Sequence, residues 1–390
     1  MDKKSNYNII SDRIERIDNM LKGTHIDPIL NNNSDLVNSN SEDIRDLMCK
    51  KYLELSEVIN KLGGKLLYIK SGSTGHTFKG VYPKLENGQD DPRKPYAVKI
   101  VAYPKKENYG DMYDVKRPEN AELMMIKLLS EFVKKIETPH IVLPITTFNT
   151  SIKPFLSLAK SNIVDNKKFD QFLERYNKGE YYQNVSVLIS EWANGGDLLD
   201  YVRKNYKTFK IKHWRIIFFQ FLSVLSIIQT EYPSFRHNDL KANNLLINLF
   251  DASKKKYKYI INEKVYIVPN IGFHIKLWDY DFACIPGIVN NSKVNSEWTK
   301  KINIIPEQNR YYDVHYFFNT FTRKGFFPEF WTEPEIPQKA KDFVNRIIPE
   351  KYRSGKLVSD KGRILVNDEY LLPIDILGKD SFFEILRCKS

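Results

Sequence analysis

Cysteine is scarce in this chain: Cys49, Cys284 and Cys388 are the three in 390 residues. They stand far apart and are odd in number, which excludes a disulfide framework and zinc-ligand spacing and favours a reducing, cytoplasmic compartment. Long hydrophobic runs are missing too. The longest, Ile216 to Ile228, is interrupted by Gln220 and Ser223. At 1.5 Å per residue it spans about 20 Å, short of the roughly 30 Å of a bilayer core, so it reads as a buried helix and not as a transmembrane segment. The opening "MDKKSNYNII" has no hydrophobic signal segment, and no internal repeat is visible.

A substantial core is present. Hydrophobic residues make up 42% of the chain, with 23 Tyr and 23 Phe, which excludes global disorder. The net charge of +12 attracts acidic partners or polyphosphate. Its lysines are scattered, however, and only "KKKYK" (Lys254 to Lys258) is dense, so nucleic acid is not the expected main partner.

Residues 1–41, rich in Asn and Ser, read as a mobile polar extension with a short helix near Asp12 to Leu21. From Ser41, the apolar residues Ile44, Leu47, Met48, Tyr52, Leu55, Val58 and Ile59 recur at helical spacing and predict one helix. "KLLYIKSG", "HTFKGVYPK" and "KPYAVKIVAY" predict three strands, followed by a helix from Pro118 to about Ile136. "HIVLPITTF" and "VSVLISEW" predict two more strands, separated by a polar insertion at about 160–185. The remainder, 193–390, reads as mainly helical around a long apolar helix at His213 to Thr230. Within it, 254–270 alternates with period two and predicts an added hairpin turning at Asn262-Glu263. The pattern predicts an α+β chain of two lobes, a β-rich one over 42–192 and a helical one over 193–390.

The stretch "FRHNDLKANNLLI" sets polar groups between apolar runs, where an ordinary buried strand has none. A hydroxyl that attacks a phosphoryl group needs its proton accepted, the phosphate charge met and a metal held. Asp239, Lys241 and Asn244 supply an acid, a cation and a neutral amide oxygen in that order. The alternative is a polar turn between a helix and a strand.

This D-x-K-x-x-N spacing resembles the catalytic loop of protein kinases, and further segments follow in that family's order. "IKLWDYDFA" places Asp279 where the family carries a metal-binding aspartate, with Tyr280 and Asp281 replacing Phe and Gly, so Asp281 is a second candidate. "AVKI" centres Lys99 in an apolar strand, where it needs an anionic partner; Glu122 is the first choice and Glu119 the second. "IKSGSTGHTFKG" keeps Gly72 and Gly75 of a phosphate-covering loop, with Lys70 in the first glycine's place. "LISEWANGGDLL" suits a hinge in which Glu191 and Ala193 offer main-chain groups to adenine, Asp197 reaches the ribose and Ser190 lines the back of the pocket. Asp313, in "YYDVHYFF", stands where the family braces its catalytic loop. "KDFVNRIIPEKYR" and "PIDILGKDSFF" resemble the family's last helices.

The resemblance implies a bilobal serine/threonine protein kinase that uses ATP and Mg²⁺ on protein hydroxyls. It is similar above all to the kinases of large DNA viruses, mimivirus-like and distantly poxvirus-like, acting in the host cytoplasm or virion. Asn238 replaces the arginine that reads a loop phosphate in many kinases, which argues against regulation by loop phosphorylation. Two alternatives stay open. Choline- and aminoglycoside-type kinases share H-x-D-x-x-x-x-N followed by D-x-D, and a pseudokinase binding module would keep the fold without the chemistry. The oligomeric state is not encoded in any of these patterns.

Overall fold

A computed structural model describes residues 4–31, 40–72, 74–89, 91, 93–157 and 166–388. The chain divides into two compact units. One comprises Arg13–Ser130 and Leu143–Trp192; the other comprises Met1–Asp12, Glu131–Val142 and Ala193–Ser390.

The first unit is built on an antiparallel sheet of β1 (Lys65–Ser71), β2 (Gly75–Val81), β3 (Tyr96–Pro104), β4 (Pro144–Ser151) and β5 (Tyr181–Glu191), in the order β1-β2-β3-β5-β4. Strand β3 is therefore central. Its side chains alternate, with Tyr96, Val98 and Ile100 buried and Ala97, Lys99 and Val101 half-buried on the opposite face. The helices are α1 (Lys4–Leu21), whose residues 4–12 belong to the second unit, α2 (Ile44–Met48), α3 (Leu55–Leu62), α4 (Pro118–Lys134), whose residues 131–134 belong to the second unit, and α5 (Asn166–Asn177).

Three expectations change here. The helix placed at Asp12 to Leu21 starts already at Lys4, and Ile17, Leu21, Ile26, Ile29 and Leu30 are buried; the Asn-rich residues 32–39 lie outside the described residues. The single helix from Ile44 to Ile59 is two. Asp43 caps α2 by accepting from the Arg45 amide at 2.8 Å, and Cys49 ends it in a left-handed turn at φ 49°. The chain then extends along β4, where Asn149 N donates to Lys51 O and Asn149 O accepts from Leu53 N. The apolar spacing was helical, but two backbone bonds to the sheet edge claim residues 51–53. In the stretch read as an insertion, 158–165 lie outside the described residues, α5 occupies part of the rest, and β5 begins at Tyr181, ahead of the expected Val185.

In the second unit the helices are α6 (Leu198–Asn205), α7 (Ile211–Glu231), α8 (Glu297–Lys300), α9 (Tyr312–Phe321), α10 (Glu329–Thr332), α11 (Gln338–Ile347) and α12 (Pro373–Lys379). Two small antiparallel pairs accompany them, β6 (Leu245–Leu249) with β9 (Phe273–Leu277), and β7 (Lys256–Ile261) with β8 (Lys264–Pro269). The β7–β8 pair is the expected hairpin. It turns through Asn262 and Glu263, both at positive φ (46° and 63°), as a tight two-residue turn requires.

Helix α7 is long and apolar enough to cross a membrane, yet 78% of its most apolar window is buried. Trp214 packs with Phe321, Phe327 and Phe330, and Phe218 with Phe318 and Phe343, which forms the aromatic core. The polar interruption Gln220 is itself used. Its amide donates to Phe273 O at 3.2 Å and accepts from Ile275 N at 2.8 Å, fixing the edge of β9 to the helix. The segment His140–Ile141, read as the start of β4, sits instead beside β9, with Leu277 N donating to His140 O at 2.8 Å.

Under the first sheet lies Lys50, 2% exposed. Its ammonium donates to Tyr103 Oη (2.6 Å), Ser186 Oγ (2.7 Å) and Asn120 Oδ1 (3.2 Å), all neutral acceptors. Burial lowers its pKa from 10.5 to about 7, outweighing the opposing charge of Glu119. Between these two values the unfolded chain binds more protons than the folded one, so stability rises with pH across that window, and this group adds no pH dependence below it. Urea midpoints measured from about pH 7 to about pH 9 should therefore rise in wild type by a component that Lys50→Met lacks, at most about 1.4 kcal/mol per pH unit. Parallel profiles for the two proteins would refute the assignment.

Candidate functional site

The candidate residues fall in both units. In the sheet unit, Lys99 on the central strand β3 cannot turn to an open sheet edge, and it donates to both carboxylate oxygens of Glu122 on α4, at 2.6 and 2.9 Å. The side chains are 18% and 7% exposed, so the pair is shielded enough for its charge to matter. Glu119, the other carboxylate considered for Lys99, pairs with Arg117 at 3.2 Å.

Gly72 N donates to Gly75 O at 2.7 Å, closing the turn between β1 and β2; Ser73 lies outside the described residues. Gly75 is opposite Val101 in the ladder, and a Cβ there would stand 1.9 Å from Ile100 O, so the strand pairing itself demands glycine. At the end of β5, Ser190 Oγ is buried and has no hydrogen-bond partner among the described residues. The Glu191 amide donates to Leu143 O at 3.0 Å, and its carboxylate accepts from Leu143 N at 2.8 Å and from Arg13 Nε and Nη2 at 3.0 and 2.5 Å.

In the helical unit, Ala193 is buried and precedes Gly195, where a Cβ would stand 2.5 Å from Ile247 Cγ2; Gly195 N donates to Ile247 O at 2.8 Å. Asp197 is the N-cap of α6, its Oδ1 accepting from Asp200 N at 2.9 Å. A helix cap is thus at least one use of this carboxylate, which sequence reasoning directed to a ribose.

The loop after α7 is held by its own backbone. Buried Asp313, on α9, accepts from His237 N at 2.7 Å and Asn238 N at 2.9 Å. Burial pushes the Asp313 carboxyl up, while His237, Arg236 and the two amide donors act the other way. Arg236, fully buried, lies over the Tyr312 ring at 4.0 Å and donates to Glu307 O at 3.0 Å and to Asn303 O. Asp239 follows with its side chain 14% exposed. Its Oδ2 lies 3.0 Å from Lys241 Nζ and accepts from Asn244 Nδ2 at 2.9 Å, while Asn244 also donates to Asp239 O at 2.8 Å. Acid, lysine and asparagine thus meet at one carboxylate. The amide nitrogen of Asn244 is turned inward, which leaves the oxygen as the atom suited to a cation.

Asp279, two residues beyond the end of β9, has φ 66°, a left-handed conformation uncommon for a residue with a side chain. Asp281 forms an ion pair with Lys293. His237 donates from Nε2 to Trp278 O at 3.0 Å, and Asn238 from Nδ2 to Phe282 O at 2.9 Å, so the two loops are tied together. Among the described residues no group of three or more His, Cys, Asp or Glu side chains is arranged to hold a metal.

Two arginines escape sequence reading. Arg13 clamps Glu191, and Arg363 donates to Asp239 Oδ1 and to Asn238 O. Both lie in polar segments with no motif around them, more than a hundred residues from their partners, and no local signal marks either.

The poxvirus serine/threonine protein kinase family matches residues 100–368, a span that contains Asp239, Lys241, Asn244, Asp279 and Asp313 and begins one residue after Lys99. "Putative serine/threonine-protein kinase R400" of Acanthamoeba polyphaga mimivirus is 46% identical over 386 residues, covering 96% of this chain and 80% of the relative. More distant are "Serine/threonine-protein kinase 2" of swinepox virus, 33% identical over 34% of this chain and 28% of the relative, and its vaccinia virus (Western Reserve) namesake, 29% identical over 43% and 34%. A family match over most of the chain, a near full-length relative and an acid–lysine–asparagine cluster braced by a buried aspartate agree: the chain belongs to the poxvirus serine/threonine protein kinase family.

Proposed function

We propose that the chain transfers the γ-phosphoryl group of ATP to serine and threonine hydroxyls of protein substrates, with the two compact units serving as the small and large lobes of the kinase. The observation that carries this reading is the Asp239 carboxylate with Lys241 at 3.0 Å and Asn244 at 2.9 Å. An acid so placed orients a hydroxyl and takes its proton as the oxygen bonds to phosphorus. The bond from phosphorus to the bridging oxygen breaks, and ADP leaves with the electron pair. Lys241 meets the charge on the transferring group. Lys99, aligned by Glu122, positions the α- and β-phosphates, and backbone amides near Gly72 and Gly75 cover them. Main-chain groups of Glu191 and Ala193 read adenine, beside Ser190; Asp197 serves the ribose with whatever capacity its cap leaves.

Asn244 and Asp279 offer hard oxygen donors, which suit Mg²⁺. Bound there, the ion would neutralise phosphate charge. Asp281, the second candidate, is paired with Lys293. The scarcity of cysteine, three in 390 residues, supports a reducing location, the host cytoplasm or virion.

Incubated with labelled ATP and a basic Ser/Thr-rich protein, wild type should incorporate phosphate, and Asp239→Asn should lose about 10²–10⁴-fold in kcat with its melting temperature retained. Equal incorporation by both proteins would show that Asp239 is not the base. Lys99→Met should be similarly impaired while remaining folded, because the methionine keeps the strand and loses the ammonium; unchanged turnover would misplace the phosphate site. Choline offered instead of protein should remain unlabelled, and labelling of choline alone would overturn the protein-substrate assignment.

A further inference from the structure

The Asp239 carboxylate is held at both ends. Lys241 and Asn244 approach Oδ2, while Oδ1 accepts from Nη2 of Arg363. Arg363 comes from the loop between α11 and α12 and is 6% exposed. Its other terminal nitrogen, Nη1, donates to Asn238 O and to Tyr312 Oη at 3.2 Å, and its guanidinium lies over the Tyr316 ring at 4.1 Å. The backbone behind it is fixed as well. Arg363 N donates to Ser359 Oγ at 3.0 Å, Ser359 N to Arg363 O at 2.8 Å, and Asn303 Nδ2 to Ile364 O at 3.1 Å. A cation buried among so many partners is a constant part of the unit and not a mobile plug.

We infer that Arg363 is a positioning residue for phosphoryl transfer: its planar fork locks the rotamer of Asp239 by binding the carboxylate and the preceding carbonyl together. This rests on the reading of Asp239 as the base. The fork geometry matters, because a lysine supplies the charge at one oxygen and cannot span Oδ1 and Asn238 O at once. A carboxylate free to rotate spends part of its time turned from the incoming hydroxyl, and misplacement of that kind costs on the order of 100-fold in rate.

The test is a double-mutant cycle on the full chain, with labelled ATP and a Ser/Thr-rich protein, reading kcat, the KM for ATP and the melting temperature. Arg363→Ala should lower kcat on the order of 100-fold and leave the KM for ATP within about two-fold. Arg363→Lys should recover only part of the loss. In the Asp239→Asn background, Arg363→Ala should have no further effect on kcat, since there is no base left to orient. If Arg363→Ala fails to fold, Arg363→Lys and Arg363→Gln carry the same cycle. Equal losses in both backgrounds would reduce Arg363 to a structural tie and overturn the inference, as would a rise in kcat, which would make it a block. Full activity of Asp239→Asn would remove the base assignment and this inference together. Loss in Asp239→Asn with none in Arg363→Ala would sink the inference alone.

Discussion

The buried carboxylate of Asp313 is the constraint on which the arrangement of the candidate catalytic loop depends. It accepts two consecutive amides, His237 N and Asn238 N. Consecutive N–H groups face one side only where the backbone alternates in hand, and Asn238 takes the left-handed conformation at φ 65°. The anion and the strained residue support each other. Without the carboxylate, two buried donors would each lose roughly 1–3 kcal/mol of compensation, and without the turn the amides would not converge. Asp239 is the next residue, so its direction follows from this brace before its own side chain makes any contact.

A chain with a net charge of +12 nevertheless keeps its important cations tightly partnered. Lys99 is matched by Glu122, Arg13 by Glu191, Lys293 by Asp281, and Arg363 and Lys241 by Asp239. All but the Lys293–Asp281 pair are largely withdrawn from solvent, where an unmatched charge would cost far more than a matched one returns. Such pairs add less to stability than to definition. Asn238 departs from this pattern, because its neutral amide donates to Phe282 O. The bond ties the candidate catalytic loop to the segment after Asp279 and offers no positive charge with which a phosphate could change that contact.

The sequence revealed most where a physical requirement was local. Asn262-Glu263 between alternating residues leaves little choice but a tight hairpin, and a long apolar helix with few polar interruptions declares a core element. A lysine in the middle of an apolar strand announces that it needs an anion, though not which one. What stayed hidden was non-local. Ile44 to Ile59 has helical spacing, and only the edge of β4, with Asn149 bonding Lys51 and Leu53, shows why the helix breaks. Arg363 stands 124 residues beyond Asp239 in a loop of no particular pattern, and only the folded backbone brings it to the carboxylate. Lys50 reads as one more lysine among many until the sheet closes over it.

The replacement of a glycine by Asp281 in the segment Asp279-Tyr280-Asp281 bears directly on which acid serves a cation. Glycine at that position would allow the backbone to flip at little cost; aspartate restricts it. Here the unusual angle falls on Asp279 itself, at φ 66°, while Tyr280 is fully buried against His237 with ring centroids 5.2 Å apart. A buried tyrosine on one side and a Lys293 ion pair on the other fix the segment at both of its remaining residues. Rotation of Asp279 out of place would have to expose the tyrosine, break the ion pair and undo the His237 bond to Trp278 O in one motion. The substitution that weakens the resemblance to other kinases therefore favours a single, permanently set orientation for the proposed cation ligand.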